Sequence, residues 1–293
     1  MSLTQLFCDV DDFCQQFLPA FEQQQISSHE RRRIRKSRLS VSEVMTIIIH
    51  FHQSSYRNFK SYYVDHVWIH LKSDFPNLVS YNQFLDLKKS VLIPLCAYLN
   101  QRKGHCTGIS YVDSTPIAVC HNRRIHRHKT FEGLAARGKS SMGWFYGFKL
   151  HLIVNEYGEL LSFTVTPGNT NDRTPVEKMC KGLSGKLFGD KGYISKKLFQ
   201  QLIEQGLRLF TNLRKNMRQQ LITFSDKLLL RKRFIIETIN DQLKNISQIE
   251  HTRHRSVVNF MTNMLAGLIA YTWQEKKPSI NWNKKQEKLI QAI

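Results

Sequence analysis

The chain has 293 residues, 41% of them hydrophobic, and sets 43 Lys and Arg against 23 Asp and Glu, a formal charge of +20. Such a field steers a protein onto phosphate backbones without reading sequence, so a polyanionic partner is expected, although a basic soluble protein without that role has the same balance. Six Cys without paired spacing, and a start (MSLTQLFCDVDDF) lacking a cationic stretch followed by an apolar one, argue against a disulfide-built secreted domain and for reduced cytoplasmic thiols.

Up to residue 105 the pattern is helical. A first helix covers Leu3 to Phe21, and Ser40 with Glu43 three residues on forms a capping box opening SVSEVMTIIIHF. A third helix runs from Asn58 to Leu71. Pro76 and Asn77 break the chain, and Ser80 caps YNQFLDLKKSVLIPL. The last two make a helix-turn-helix candidate that would hold Tyr81, Asn82, Gln83 and Lys88 near base edges, with Lys89 beside Lys88 for phosphate. Helical pairs of this kind also occur in proteins that bind nothing. Ahead of them RRRIRKSR, Arg31 to Arg38, reads as a phosphate-contacting arm or a solvated linker.

After residue 105 the period changes. Ile109 to Val119 is a β-branched strand with Asp113 in its middle, Phe148 to Val154 and Leu160 to Thr166 form a hairpin around Asn155 to Gly158, and the stretch between Cys120 and Gly147 reads as a loop. A helix over Arg173 to Leu183, a strand over Lys186 to Gly189, a helix over Lys196 to Gln205 and a strand over Leu207 to Asn212 follow. A helix from Leu230 to Ile246 comes next. Val257 to Trp273 is apolar, but it is short for a membrane span and interrupted by Asn259, Thr262 and Asn263, so it reads as a buried core helix. We therefore expect an α/β chain of two parts: residues 1–105, a helical DNA-binding domain, and residues 106–293, a catalytic domain on a mixed sheet. Three strands first, then strands alternating with helices, is by analogy the order of the ribonuclease H-like fold.

Three carboxylates stand out. Asp113 in mid-strand is costly unless something cationic pairs with it. Asp190 follows a strand between Gly189 and Gly192, at the kind of strand end that faces a ligand crevice, although a turn residue is the plainer reading. At about 100° per residue Arg233, Glu237, Asn240 and Lys244 share one stripe of the last helix before the apolar segment, opposite Ile235, Ile239, Leu243 and Ile246. Glu237 alone would be an ordinary ion pair with Arg233. Together the three acids fit phosphodiester chemistry, in which two divalent ions about 3.5 to 4 Å apart activate one oxygen and stabilise another. Mg²⁺, with Mn²⁺ as substitute, takes carboxylate oxygens from separate elements and needs neither His nor Cys. Arg233 and Lys244 would then pair with the phosphate.

On DSTPIAVC at Asp113, FYGFKLHLIVNEYGELLSFTVTPGNTNDR from Phe145 to Arg173, GDKGY at Asp190 and IEHTRHRS ending at Ser256, most of the chain resembles the DDE transposases of bacterial insertion sequences, in particular the insertion-sequence 982 family. The resemblance implies Asp113, Asp190 and Glu237 as catalytic, metal-holding acids. It implies double-stranded DNA as partner, both element ends and target, strand transfer by 3′-hydroxyls, a homodimer or larger assembly on DNA, and a cytoplasmic, nucleoid-associated protein with no membrane role. Related enzymes place Tyr, Arg, Glu and Lys in fixed register around the last acid; here Arg233, Glu237 and Lys244 match, and Leu230 stands where the Tyr would fall. A nuclease using water alone and a non-catalytic repressor are the alternatives.

Further cations complete the expected DNA surface: Lys191 beside Asp190, Arg123, Arg124 and Arg127 in the loop among Phe131, Trp144, Phe145 and Tyr146, and Arg214 and Lys215 farther on. Cations interleaved with aromatics suit unpaired DNA. A zinc site from Cys106, Cys120, His121, His126 and His128 is the rival reading of that loop, with a spacing that fits no standard pattern. Asp172 reads as a helix N-cap.

Overall fold

A computed structural model describes residues 2–27, 37–213, 222–250 and 254–280. The chain divides into two compact units, Met1–Arg102 with Gln242–Glu275, and Lys103–Asp241 with Lys276–Ile293. The expected break near residue 105 is therefore crossed once more: the later segment containing the apolar helix Val257–Thr272 belongs with the first hundred residues.

In the first unit helix Leu3–Ser27 is followed by Val41–Phe51, opened by the expected capping box, in which the Glu43 amide donates to Ser40 Oγ (3.1 Å) and the Ser40 amide to Glu43 Oε2 (2.6 Å). Val44 through Ile49 and Phe51 are all buried, the signature of a helix enclosed on every side. The third helix begins at Asn58, which caps Phe59–Ser61, passes through a π-helical stretch, Tyr62–Val67, and ends in Trp68–His70. Ser80 caps Tyr81–Ser90 with Gln83 as reciprocal partner, but the helix stops at Val91 and restarts as Leu92–Gln101. Pro94 lies in the first turn of that new helix, where an amide has no intrahelical partner to lose. Val257–Thr272, capped by Ser256, is buried from Phe260 to Thr272 except at Met261 and packs on Val41–Phe51, Tyr81–Ser90 and Leu92–Gln101. Among the described residues no helix is long and apolar enough to cross a membrane.

Two expectations for Tyr81–Ser90 need correction. Lys88 is 1% exposed, with its ammonium 4.7 Å from the centre of the Phe59 ring, so it does not present itself to a phosphate or a base. Its position four residues after the buried Phe84 puts it on the helix's inner face, a phase the flanking polar residues concealed. Gln83 is occupied in the cap. Lys89 and Asn82 remain exposed, Lys89 paired to Asp86 at 2.7 Å.

The second unit carries a mixed sheet of six strands: β1 (Ile109–Cys120), β2 (Ala136–Ser140), β3 (Gly143–Asn155), β4 (Leu160–Pro167), β5 (Gly185–Gly189) and β6 (Leu207–Thr211). Their order is β2-β3-β1-β5-β6, with β4 continuing along the outer edge of β3 beyond β2. β1, β3 and β4 are antiparallel neighbours, whereas β5 and β6 run parallel to β1. This arrangement is consistent with the expected ribonuclease H-like order of strands. The β3–β4 turn follows from Asn155, whose Oδ1 accepts from the Tyr157 and Glu159 amides (3.1 and 2.9 Å), and from Gly158 at φ +74°. One face of the sheet is closed by Val112, Ile153, Leu187 and Leu209 against Val176, Leu198 and Leu202. On the other face Tyr111, Phe188 and Phe210 stack in a row, and Tyr111 donates to the Leu229 carbonyl (3.4 Å).

The structure departs from expectation in three places here. β2 lies within the stretch read as a loop, the helix expected over Arg173 to Leu183 is only Val176–Met179, and Leu230 to Ile246 is two helices, Phe224–Arg231 and Phe234–Asn245, separated at Lys232 and Arg233.

Candidate active site

Strand pairing brings the first two acids together. β1 and β5 are parallel neighbours paired as far as Tyr111 and Phe188, each two residues before an acid, and the charge of Asp190 acts on Asp113. Because side chains alternate along a strand, Asp113 shares the face of Tyr111, the face on which the segment containing Leu229 packs. Asp190 stands just past the end of β5, where its Oδ1 accepts from the Gly192 amide (2.6 Å) and caps the short turn Lys191–Tyr193. The turn role and a place beside Asp113 thus coexist in one residue.

The third acid arrives on helix Phe234–Asn245. Asn240, buried on the inner side of this helix, donates from Nδ2 to Asp113 Oδ2 at 3.1 Å. Glu237 lies three residues earlier, hence on the neighbouring part of that surface, half exposed and bound to Arg233 Nη2 at 2.5 Å. The expected ion pair is therefore present as well. Burial pushes the Asp113 carboxyl up to about 7; the Ser114 amide and the Arg233 guanidinium oppose this, and the charges of Asp190 and Glu237 add to it. Three charged groups, Arg233, Asp190 and Glu237, thus act on Asp113. Among the described residues no group of three or more His, Cys, Asp or Glu side chains is placed to hold a metal ion.

The donors that do meet at Asp113 are oxygens. Asp190 and Glu237 are near enough for their charges to act on Asp113, and Asn240, which donates to it, has a buried Oδ1 without a hydrogen-bond partner. An all-oxygen set containing an unsatisfied carbonyl and a desolvated carboxyl fits a hard divalent cation such as Mg²⁺ or Mn²⁺. Asn240 was visible in the sequence as part of the polar stripe, but the stripe did not show that it turns inward.

The remaining candidates scatter. Arg233 sits in the break between two helices and is engaged with Glu237; Lys244 pairs with Glu250 at 3.3 Å. Lys191 is exposed next to Asp190. Arg123, Arg124 and Arg127 are exposed on a 3₁₀ turn, Asn122–Arg127, capped by His121. Arg214 and Lys215, and the run from Arg31 to Lys36, lie outside the described residues. Leu230 is 7% exposed, an apolar packing residue at the position where the resemblance has Tyr.

Two other acids of this unit have partners of their own. Asp226 is buried and bound to Lys186 (2.7 Å) and Thr223 Oγ1 (2.7 Å), a structural role. Asp172 is not the helix cap expected: Val176–Met179 opens on Pro175 without a side-chain cap, and Asp172 pairs with Lys149 at 2.9 Å. The missed group is Tyr193, fully buried, whose phenol is held protonated by burial and by the nearby charges of Asp113, Asp172 and Asp190.

Comparison with known proteins gives one family. A family model described as a transposase DDE domain matches residues 103–257, more than half of the chain and all of the acids above. No curated protein matches the chain.

Proposed function

Since the chain belongs to the transposase DDE-domain family, we propose that it binds the terminal inverted repeats of its own mobile element, frees DNA 3′-hydroxyls and joins them to a target phosphodiester. In this reading Asp113, Asp190 and Glu237 would hold two Mg²⁺ ions, which would supply activation of the attacking oxygen and stabilisation of the leaving one. Asp113 must give up its proton to act as a ligand, and the Asn240 amide fixes the orientation of its carboxylate. Arg233 exchanges its hold on Glu237 for a phosphate oxygen as negative charge builds there. Lys191, Arg123, Arg124, Arg127 and Lys89 contribute phosphate contacts, joined by Arg214 and Lys215 on sequence grounds, and the helices before residue 105 read the repeat. Joining two ends requires at least a homodimer on DNA. The protein would work in the bacterial cytoplasm on nucleoid DNA, and the narrower insertion-sequence 982 assignment rests on the motifs quoted above.

The observation that carries this reading is the hydrogen bond from Asn240 to Asp113, because it ties the helix bearing Glu237 to the strand bearing Asp113, next to Asp190. The test incubates the protein with end DNA of its element, with and without Mg²⁺ or Mn²⁺, and maps the cuts. Metal-dependent cleavage at the repeat boundary, and joining of a supplied pre-cleaved end to target DNA, are expected. Cleavage without joining would replace the transposase with a nuclease, and binding without cleavage would replace it with a repressor.

A further inference from the structure

We propose that a cleft between the β2–β3 hairpin and the 168–173 loop receives an unpaired DNA strand and leads it to Asp190. The inference rests on the transposase reading and adds to it a second, sequence-tolerant subsite within the catalytic unit. The cleft is open to solvent and offers about 500 Å³, room for one or two nucleotides. Its walls are basic: Arg137 and Lys139 come from β2, Lys149 from β3 and Arg173 from the loop. The acid among them, Asp172, is taken up by Lys149, which also donates to the Thr170 carbonyl (2.9 Å) and so pins the loop in place. Arg173 is braced likewise, by Asn171 Oδ1 (3.1 Å) and the Ile194 carbonyl (3.0 Å).

Arg137 and Lys139 are left facing solvent, and Lys139 stands opposite Trp144 in the β2–β3 register with its ammonium 5.8 Å from the indole ring. Trp144 is 63% exposed on a hairpin whose next two residues, Phe145 and Tyr146, are buried. A single exposed aromatic is unremarkable by itself. An exposed indole beside cations, over a cleft of nucleotide size, has the two elements that hold single-stranded DNA: a face on which a base stacks and charges that follow the backbone.

Gly138 lies close under Gly168, and a Cβ on it would fall 2.2 Å from the Gly168 carbonyl oxygen and 2.6 Å from the Phe145 ring, so only glycine lets the hairpin and the loop pack this closely beneath the cleft. The cleft is also lined by Gly192, the residue whose amide binds Asp190. A strand lying in the cleft therefore comes next to a proposed metal ligand.

The experiment uses the whole protein in chelator, so that no cutting interferes. Binding is measured by fluorescence anisotropy on an element-end duplex, the same duplex with an unpaired tail of a few nucleotides, and an oligothymidylate. The tail should tighten binding by about tenfold, the equivalent of one stacked base. Trp144→Ala should erase that gain while duplex affinity is unchanged, Trp144→Phe should retain most of it, and Arg137→Ala with Lys139→Ala should weaken tail binding and flatten its salt dependence. Thermal melts check that the variants fold. A tail that adds nothing, or a Trp144→Ala variant that weakens duplex and tailed DNA alike, would overturn the cleft while leaving the transposase reading standing, provided that metal-dependent cleavage persists. Loss of all DNA binding in the unmodified protein would instead remove the reading beneath it.

Discussion

Asp113 in the sheet unit and Lys88 in the helical unit are buried side chains of opposite charge that desolvation drives to the same point, the carboxyl up to about 7 and the ammonium down to about 7. Their surroundings differ. Asp113 meets an amide donor, a guanidinium and two further acids, whereas Lys88 meets the Phe59 ring and two histidines, His52 and His254, whose imidazoles burial pushes down to about 3. A displaced pKa thus marks burial in both places, and only the partners distinguish a group kept for chemistry from one kept within a core.

The largest effect that sharpens this contrast is on catalysis. Asp113→Asn or Asp190→Asn should lower metal-dependent strand cleavage by about a thousandfold with DNA binding retained, whereas Lys88→Met should leave cleavage intact. An Asp113→Asn protein that still cut DNA would undo the comparison. Glu237→Gln should cost about a hundredfold in the same assay and Asp241→Asn nothing; the reverse outcome would mean that the wrong face of helix Phe234–Asn245 had been assigned to the site.

The next effect is on stability and has a defined pH window. Lys88 has a folded-state pKa below its unfolded value of 10.5, so between about 7 and 10.5 the unfolded chain binds the extra proton and stability climbs with pH. Lys88→Met should therefore stabilise the protein by about 2 to 4 kcal/mol below pH 7, and the advantage should vanish by pH 10.5. His52 and His254, held neutral in the fold mainly by burial and in part by the Lys88 charge, add a rise between about 3 and 6.5 that the variant should reduce but not remove. Denaturant melts of both proteins across pH read the difference; a gain independent of pH would show that Lys88 is not buried as a titrating group.

Smaller effects follow. Asn240→Ala removes a hydrogen bond to a buried carboxyl and should cost about 1 to 2 kcal/mol in denaturant melts and weaken Mg²⁺ binding measured by calorimetry. Lys89→Ala breaks only an exposed pair and should change stability by about 0.5 kcal/mol or less, while lowering the salt slope of DNA binding by about one.

Much of the sheet unit was legible because its signals are local. β-branched runs gave β1, β3 and β4, and Asn155 and Gly158 gave the hairpin turn. In the helical unit Ser40 and Ser80 marked the helix starts. What stayed hidden depends on neighbours distant in sequence. β2, ARGKS, has neither alternation nor β-branching and is a strand only because β3 offers it an edge. The break at Lys232 and Arg233 leaves the polar and apolar period nearly unchanged on either side, so periodicity did not expose it. Whether Lys88, Asn240 or Asp172 faces solvent, a carboxylate or a lysine is likewise decided by packing. For the site, residue type and strand position pointed to Asp113 and Asp190, and the resemblance supplied Glu237.

The two-sided pairing of β1 also has a developmental cost for the molecule's own history. Antiparallel bonds to β3 from Ser110 to Ala118 and parallel bonds to β5 from Ile109 to Tyr111 lock the strand on both flanks. Sliding β1 by a single residue would turn Val112 toward the acids and Asp113 into the greasy side of the sheet. Insertions and deletions upstream of Asp113 are thus tolerable only before Ile109, so length variation among functional descendants of this gene should collect in the connection that precedes the strand.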